Sequence, residues 1–260
     1  VGSSGSGKSL LAHAIMGILP ENSKTKGSIK YYNDELNEKY LRKVRGKDIA
    51  FIPQSVDFLD PLMKVGKQVV GINGNKERQK EVFKKYNLDD KVAEMYPFQL
   101  SGGMARRVLI ATAVMNEAKL IIADEPTPGL NLELAMETLN NFREIADSGC
   151  GVLLITHDVD LALNVADRIA VFYSGTIVEI AQVEDFIKGK DALRHPYSKA
   201  FIDALPQNKF KELPGYQPYA GNLPKGCLFR DRCSLKTDEC CMEIKMRKVR
   251  DGEVRCINAT

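Results

Sequence analysis

The sequence predicts an α/β fold built on a largely parallel sheet, and three observations carry that prediction. Short apolar stretches, Ile49-Ala-Phe-Ile-Pro, Leu120-Ile-Ile-Ala-Asp and Val152-Leu-Leu-Ile-Thr, alternate with longer segments of helical period. A glycine- and serine-rich loop at the start of the chain runs into Leu10, Leu11, Ala14, Ile15 and Ile18, which recur at helical spacing. The second apolar stretch ends in two adjacent carboxylates, Asp124 and Glu125. A hydrophobic fraction of 44% and a charged fraction of 27% over 260 residues suit a folded chain and exclude wholesale disorder.

The loop comes first. Gly2, Ser3, Ser4, Gly5, Ser6, Gly7, Lys8 and Ser9 fit the G-x-x-x-x-G-K-[ST] phosphate loop at every fixed position. Its glycines let successive backbone N–H groups curl round a β-phosphate at a helix N-terminus. Lys8 is then expected on the β- and γ-phosphates, and the Ser9 hydroxyl on Mg²⁺. The strand that normally feeds such a loop is not in the sequence, which predicts that the chain starts inside its domain. Between Gln54 and Ser101 the pattern turns helical and charged, with an amphipathic helix over Lys76 to Tyr86, so this stretch reads as an insert. Asp124 and Glu125 then suit a magnesium carboxylate and a water-polarising carboxylate. Ala166 to Ile180 predicts a strand pair turning at Ser174-Gly175. Cys150 reads as a plain buried or turn cysteine. No apolar run approaches the roughly 18–20 residues of a membrane span, so any work at a membrane is expected to go through partners.

After Leu205 the composition shifts to Pro, Gly, Lys and Cys. The net charge of +3 is too balanced to point to nucleic acid, yet Pro206 to Thr260 holds 11 Lys/Arg against 7 Asp/Glu. Five of the six cysteines crowd this tail, which suggests metal ligation before disulfides. The basic clusters Arg42-Lys43, Arg45-Lys47 and Lys245 to Arg250 read as solvated faces, able to meet anionic lipid near a membrane.

Leu100-Ser101-Gly102-Gly103-Met104 resembles the signature motif of ATP-binding cassette (ABC) proteins, and it precedes Asp124 by one helix and one strand. Ser101 is a good N-cap, and two glycines expose N–H groups at a helix start. Gln54, Asp124-Glu125, Leu130-Asn131 and His157 follow in the family's order, as glutamine loop, Walker B pair, D-loop and switch histidine. Asn131 stands where Asp is usual, and Pro128-Gly129 replace small residues. The resemblance covers about residues 1–185. It implies a P-loop NTPase fold with a helical subdomain at about 55–117, inside an ATP-binding domain at 1–205. It also implies a head-to-tail dimer in which Lys8 and Ser9 face Ser101 and Gly103 of the other subunit across each ATP. Glu125 would be the general base, Gln54 would contact Mg²⁺ and water, and His157 would hold the γ-phosphate.

Arg194-His195-Pro196-Tyr197-Ser198 resembles the His-Pro-Tyr element of the oligopeptide, dipeptide and nickel importer ATPases. Cys227, Cys233, Cys240 and Cys256, with Phe229 and Arg232 between them, are similar to that group's C-terminal motif, in a small Cys-rich extension at 206–260. The resemblance implies a [4Fe–4S] cluster. The thiolates themselves suit either that or structural Zn²⁺, and Cys241 could replace its neighbour. Asp60-Pro61-Leu62-Met63 and Gly66-Lys67-Gln68 resemble the stretch that docks the membrane subunit.

The function so implied is ATP hydrolysis that energises import of peptides or nickel, at the cytoplasmic face of the cell membrane. The implied partners are a second cassette, two permease subunits and an extracellular binding protein, with no nucleic acid expected. A soluble ABC ATPase acting on nucleic acid or the ribosome, and a catalytically weak partner cassette, stand as alternatives.

Overall fold

A computed structural model describes residues 1–71, 74–205, 208 and 210–260. Pro206, where the sequence places the start of the extension, lies outside the described residues. The chain divides into two compact units, one of Ser9–Thr156 and one joining Val1–Lys8 to His157–Thr260.

In the first unit α1 (Lys8–Met16, entered from Lys8 of the other unit) is followed by the small ribbon β1 (Lys30–Tyr31) and β2 (Asp34–Glu35), then α2 (Glu38–Val44) and β3 (Ile49–Ile52). The helical insert comes next, with α3 (Val65–Val70), α4 (Lys76–Lys85) and α5 (Gly102–Val114). The unit ends with β4 (Leu120–Asp124), α6 (Leu132–Asp147) and β5 (Gly151–Ile155). The three apolar stretches form a parallel sheet in the order β3-β4-β5, with β4 buried along almost its whole length and β5 less covered. One core gathers Ala12 and Met16 of α1, Val44 of α2, Ile49, Ile122 and Ile155. Within the insert, α3 packs against α4 and α5.

The helices start where the sequence supplies caps. Asn75 Oδ1 accepts the Arg78 N–H at 2.7 Å at the head of α4. Ser101 Oγ accepts from Met104 at the head of α5, and Asn131 Oδ1 from Leu134 at the head of α6. Asn131 therefore satisfies an orphan helix N–H, a role its Asp counterpart would also fill.

The second unit contains α7 (Val159–Leu163), β6 (Arg168–Tyr173), β7 (Thr176–Gln182), α8 (Val183–Ile187) and α9 (Pro196–Asp203). Late in the chain come β8 (Arg247–Val249) and β9 (Gly252–Val254). β6 and β7 form the hairpin expected at Ser174-Gly175, both of which take positive φ, 46° and 84°, as a tight two-residue turn requires. The sheet is wholly antiparallel and runs β6-β7-β9-β8, so the cysteine-rich segment contributes half of its strands. Val1 and Gly2 lie along the other side of β6, Gly2 bridging Phe172 in parallel. A Cβ on Gly2 would stand 2.3 Å from the Phe172 carbonyl oxygen, so only glycine fits there.

The core of this unit is aromatic. Tyr173, Tyr197 and Phe229 meet with ring centroids 4.4 to 5.4 Å apart. Beside it lies a buried ionic knot. Glu179 of β7 accepts the backbone N–H groups of Arg194 and His195, each at 2.8 Å, and pairs with the Arg194 guanidinium at 3.4 Å. Arg194 also meets Asp185 at 2.8 Å and donates from Nε to the Val249 carbonyl at 2.7 Å. The His-Pro-Tyr element is thus seated on one carboxylate. Its histidine N-caps α9 by accepting the Tyr197 N–H at Nδ1, and burial pushes its pKa down to about 3.

The basic cluster after Lys245 is exposed, as expected of a solvated face, and two of its guanidinium groups also hold backbone carbonyls. Arg247 donates to the carbonyls of Cys256, Ile257 and Ala259, and Arg250 to those of Leu193 and Thr260. Arg230 and Arg255 likewise hold backbone carbonyls. A segment short of apolar side chains here leans on guanidinium–carbonyl hydrogen bonds.

Candidate functional site

The phosphate loop, Gly2 to Lys8, belongs to the second unit. Its glycines at 5 and 7 take φ of +73° and +98°, and a Cβ on Gly5 would enter open space rather than protein. The Ser6 N–H donates to the Ser3 carbonyl, and the Ser6 carbonyl accepts from Gly175 at 2.7 Å, which ties the loop to the β6–β7 turn. Lys8 Nζ folds back over the loop to the carbonyls of Gly2 and Ser3, at 2.8 and 3.1 Å. The Ser6 hydroxyl is buried with no hydrogen-bond partner among the described residues. An open concavity, a lysine over it and an orphaned hydroxyl beside it fit a phosphate group. His157 is in this unit too, exposed at the entry to α7, whose N-cap is Asp158.

Ser9, Gln54, Ser101, Gly102, Gly103, Asp124 and Glu125 belong to the first unit. Gln54 is exposed, two residues beyond β3. Ser101 and Gly102 are exposed at the start of α5, and Gly103 is half-buried. Asp124 and Glu125 are both buried, at 1% and 6% exposure. Glu125 holds a left-handed backbone, φ +48°, and its N–H donates to Ile155 at 2.9 Å. A bulky non-glycine residue at such a φ stores strain of order 1 kcal/mol, a cost that clusters where side chains are aimed for chemistry.

Arg106 is the residue that sequence reasoning missed. It is nearly fully buried on α5 and donates to the Pro53 carbonyl at 2.9 Å, just before Gln54. Burial pulls its pKa down, while the carboxylates of Glu125 and Asp124 oppose that shift. One guanidinium is thus placed where both carboxylates act on its charge, and it braces the residue ahead of the glutamine. The available signal was a pair of charges within an otherwise apolar run, in Met104-Ala-Arg-Arg-Val-Leu-Ile, the first of which falls on the buried side of the helix.

The tail cysteines separate into a set and an outlier. Burial raises the thiol pKa of Cys227, Cys233 and Cys256, the last to about 11, and each is pushed further by neighbouring tail thiols. Cys256 feels Cys227, Cys233 and Cys240 together, whereas Cys241 is exposed. Gly226 makes the approach possible. Its φ is +80°, and a Cβ there would lie 2.3 Å from the Cys240 carbonyl that accepts the Cys227 N–H. Among the described residues, no three His, Cys, Asp or Glu side chains form a group able to hold a metal as they stand.

Residues 1–128 match the family described as ABC transporter, and residues 178–240 the family described as oligopeptide/dipeptide transporter, C-terminal region. The chain is 33% identical over 276 residues to the oligopeptide transport ATP-binding protein OppD of Haemophilus influenzae, covering 98% of this chain and 84% of that protein. The chain belongs to the ABC transporter ATP-binding proteins. It is also 33% identical to the dipeptide transport ATP-binding protein DppD of the same organism, with the same coverage. A solved dimer of the ABC cassette MJ0796 in a post-hydrolysis state with ADP and Pi superposes with a TM-score of 0.62 at 27% identity, over 70% of this chain and 83% of that one. The ABC fold, a P-loop NTPase, is therefore established, and the protein is an ABC-type ATPase of the oligopeptide/dipeptide importer family. The second match takes in Glu179, the His-Pro-Tyr element, Cys227, Cys233 and Cys240, and stops short of Cys256. No helix among the described residues is long and apolar enough to cross a membrane.

Proposed function

We propose that this ABC ATPase hydrolyses MgATP to drive uptake of di- or oligopeptides, working on the cytoplasmic face of the cell membrane. It would do so with a second cassette, two permease subunits and an extracellular binding protein. The names of its relatives favour peptides over nickel as cargo. The observation that carries the nucleotide reading is the phosphate loop, with its open glycine concavity, the Lys8 ammonium laid over it and the orphaned Ser6 hydroxyl.

Each residue then has one task. Backbone N–H groups of Gly2 to Lys8 bind the phosphates, and Lys8 exchanges its loop carbonyls for β- and γ-phosphate oxygens. Ser9, Asp124 and Gln54 would hold Mg²⁺, which neutralises phosphate charge when bound. Glu125 takes the proton of the attacking water as the new P–O bond forms and ADP departs. His157 steadies the γ-phosphate. Ser101, Gly102 and Gly103 present the α5 N-terminus to the partner cassette's nucleotide. The region from 1 to 205 would be the ATP-binding domain and 206–260 an extension that holds a metal centre. Cys227, Cys233, Cys240 and Cys256 fit as ligands because burial and neighbouring tail thiols raise the pKa of Cys227, Cys233 and Cys256, a cost that a bound cation removes. A [4Fe–4S] cluster is the favoured occupant over zinc, and its contribution would be cross-linking of the tail. The guanidinium groups of Arg230, Arg247, Arg250 and Arg255 are engaged by backbone carbonyls, which favours this reading over a basic nucleic-acid finger.

Lys8→Ala and Glu125→Gln, compared in the protein assembled with its partners, test the assignment. The first should lower nucleotide affinity and turnover together. The second should abolish turnover while ATP stays bound. Normal turnover by the Glu125→Gln assembly would remove Glu125 from the chemistry.

A further inference from the structure

The phosphate loop is held from the far end of the chain. Ser3 Oγ donates to Gln217 Oε1 at 3.0 Å, across 214 residues of sequence. The Ser3 carbonyl in turn receives Lys8 Nζ at 3.1 Å and the Ser6 N–H at 3.3 Å. Whatever fixes Ser3 therefore fixes the seat of the lysine and the turn of the loop.

Gln217 is itself kept in place from the cysteine-bearing turn. Arg232, the residue before Cys233, donates from Nε to the Pro214 carbonyl at 2.7 Å and from Nη2 to Leu213 at 3.2 Å. Its Nη1 meets the Tyr173 hydroxyl at 3.3 Å. Gly215, with φ +71°, brings its Cα side to the Arg232 stem, where a Cβ would lie 3.6 Å from Cγ. Residues 213 to 215 are wrapped round that side chain, and Gln217 follows two residues on.

We infer that Gln217 is a positioning residue for the phosphate loop, and that Arg232 carries its placement from the cysteine-bearing turn. This rests on the reading of Gly2 to Ser9 as the nucleotide site. A loop rich in glycine loses much freedom on closing round phosphate, and a tether on Ser3 removes part of that cost in advance. Apparent affinity scales with the fraction of molecules whose loop is already competent. Without the tether that fraction falls, and the tail ceases to be a bystander to ATP binding.

The test uses the full chain and a fluorescent ATP analogue titrated at equilibrium, with KM, kcat and Tm measured beside it. Gln217→Met keeps length and removes the acceptor, so affinity should weaken about fivefold, the worth of one neutral hydrogen bond. KM for ATP should rise to match, kcat should stay within about twofold, and Tm should move by no more than about 2 °C. In a Ser3→Ala background Gln217→Met should add nothing. Arg232→Lys, which supplies one donor point where two carbonyls are bridged, should reproduce the Gln217→Met shift. Unchanged affinity in Gln217→Met, beside a large loss in Lys8→Ala, would overturn the inference and leave the nucleotide site standing. Full additivity with Ser3→Ala would also overturn it. If Lys8→Ala left affinity unchanged, the phosphate-site reading itself would fall, and the inference with it.

Discussion

Glu179→Ala should be among the most damaging single changes outside the nucleotide site. The carboxylate has no exposed surface and accepts two backbone N–H groups and a guanidinium. Truncation leaves the N–H groups of Arg194 and His195 buried without acceptors, each worth about 1–3 kcal/mol. It also leaves Arg194, itself 2% exposed, with Asp185 as its one carboxylate among the described contacts. Breaking a buried ion pair from one side costs about 3–5 kcal/mol, and this overlaps the orphaned-donor cost because the same oxygens serve both. A total of about 4 kcal/mol follows, which for a chain of this size lowers Tm by roughly 8–16 °C. Circular dichroism melts of wild type, Glu179→Ala and Glu179→Gln measure it. The glutamine retains one acceptor and should fall between the two. A loss below about 1 kcal/mol for the alanine variant would show that water or another group replaces the carboxylate, and the account of the His-Pro-Tyr element would be wrong.

Two other outcomes can be checked. His195 has a folded pKa of about 3 against 6.5, so the unfolded chain binds more protons between those values and stability must fall as pH drops through that window. The loss should reach about 2 kcal/mol at pH 5 by urea titration, and His195→Asn, which keeps a capping acceptor, should flatten the slope. In anaerobically purified protein, Cys240→Ser should lower bound iron and sulfide from about four of each per chain, while Cys241→Ser should not. One zinc per chain would retain the ligands and change the metal, and the reverse pattern between the two serines would move the ligand by one residue.

What could be read in advance was what lies close in sequence. Gly2 to Ser9, the Ser101 cap and the Asp124-Glu125 strand end are local patterns whose chemistry and geometry coincide. The β6–β7 hairpin was legible from Ser174-Gly175 for the same reason. Arg106, Glu179 and Gln217 were not, because each gains its meaning from a partner tens to hundreds of residues away. The hairpin of β8 and β9 lay between. Its turn is Arg250-Asp251, with Arg250 at φ 50°, an unusual residue for that conformation, and three-residue strands carry too little alternation to stand out from loop. The carbonyl contacts of the tail arginines were not legible either, because a run of cations is read by its charge, whereas backbone carbonyls elsewhere in the fold decide where those groups go.

The order of strands in the β6-β7-β9-β8 sheet has a consequence for synthesis. β7 leaves the ribosome some seventy residues before β9, the strand that covers its edge. At about 5–20 residues per second, that edge stays open for roughly 4–14 s in every nascent chain. An open apolar edge is a template for pairing with a neighbour emerging from the same message. Glu179 sits in the middle of that edge, in register with Val254. Until Arg194 is made, its bare carboxylate charges the strand and discourages foreign partners. Once Arg194 arrives, the same group becomes the anchor of the finished fold.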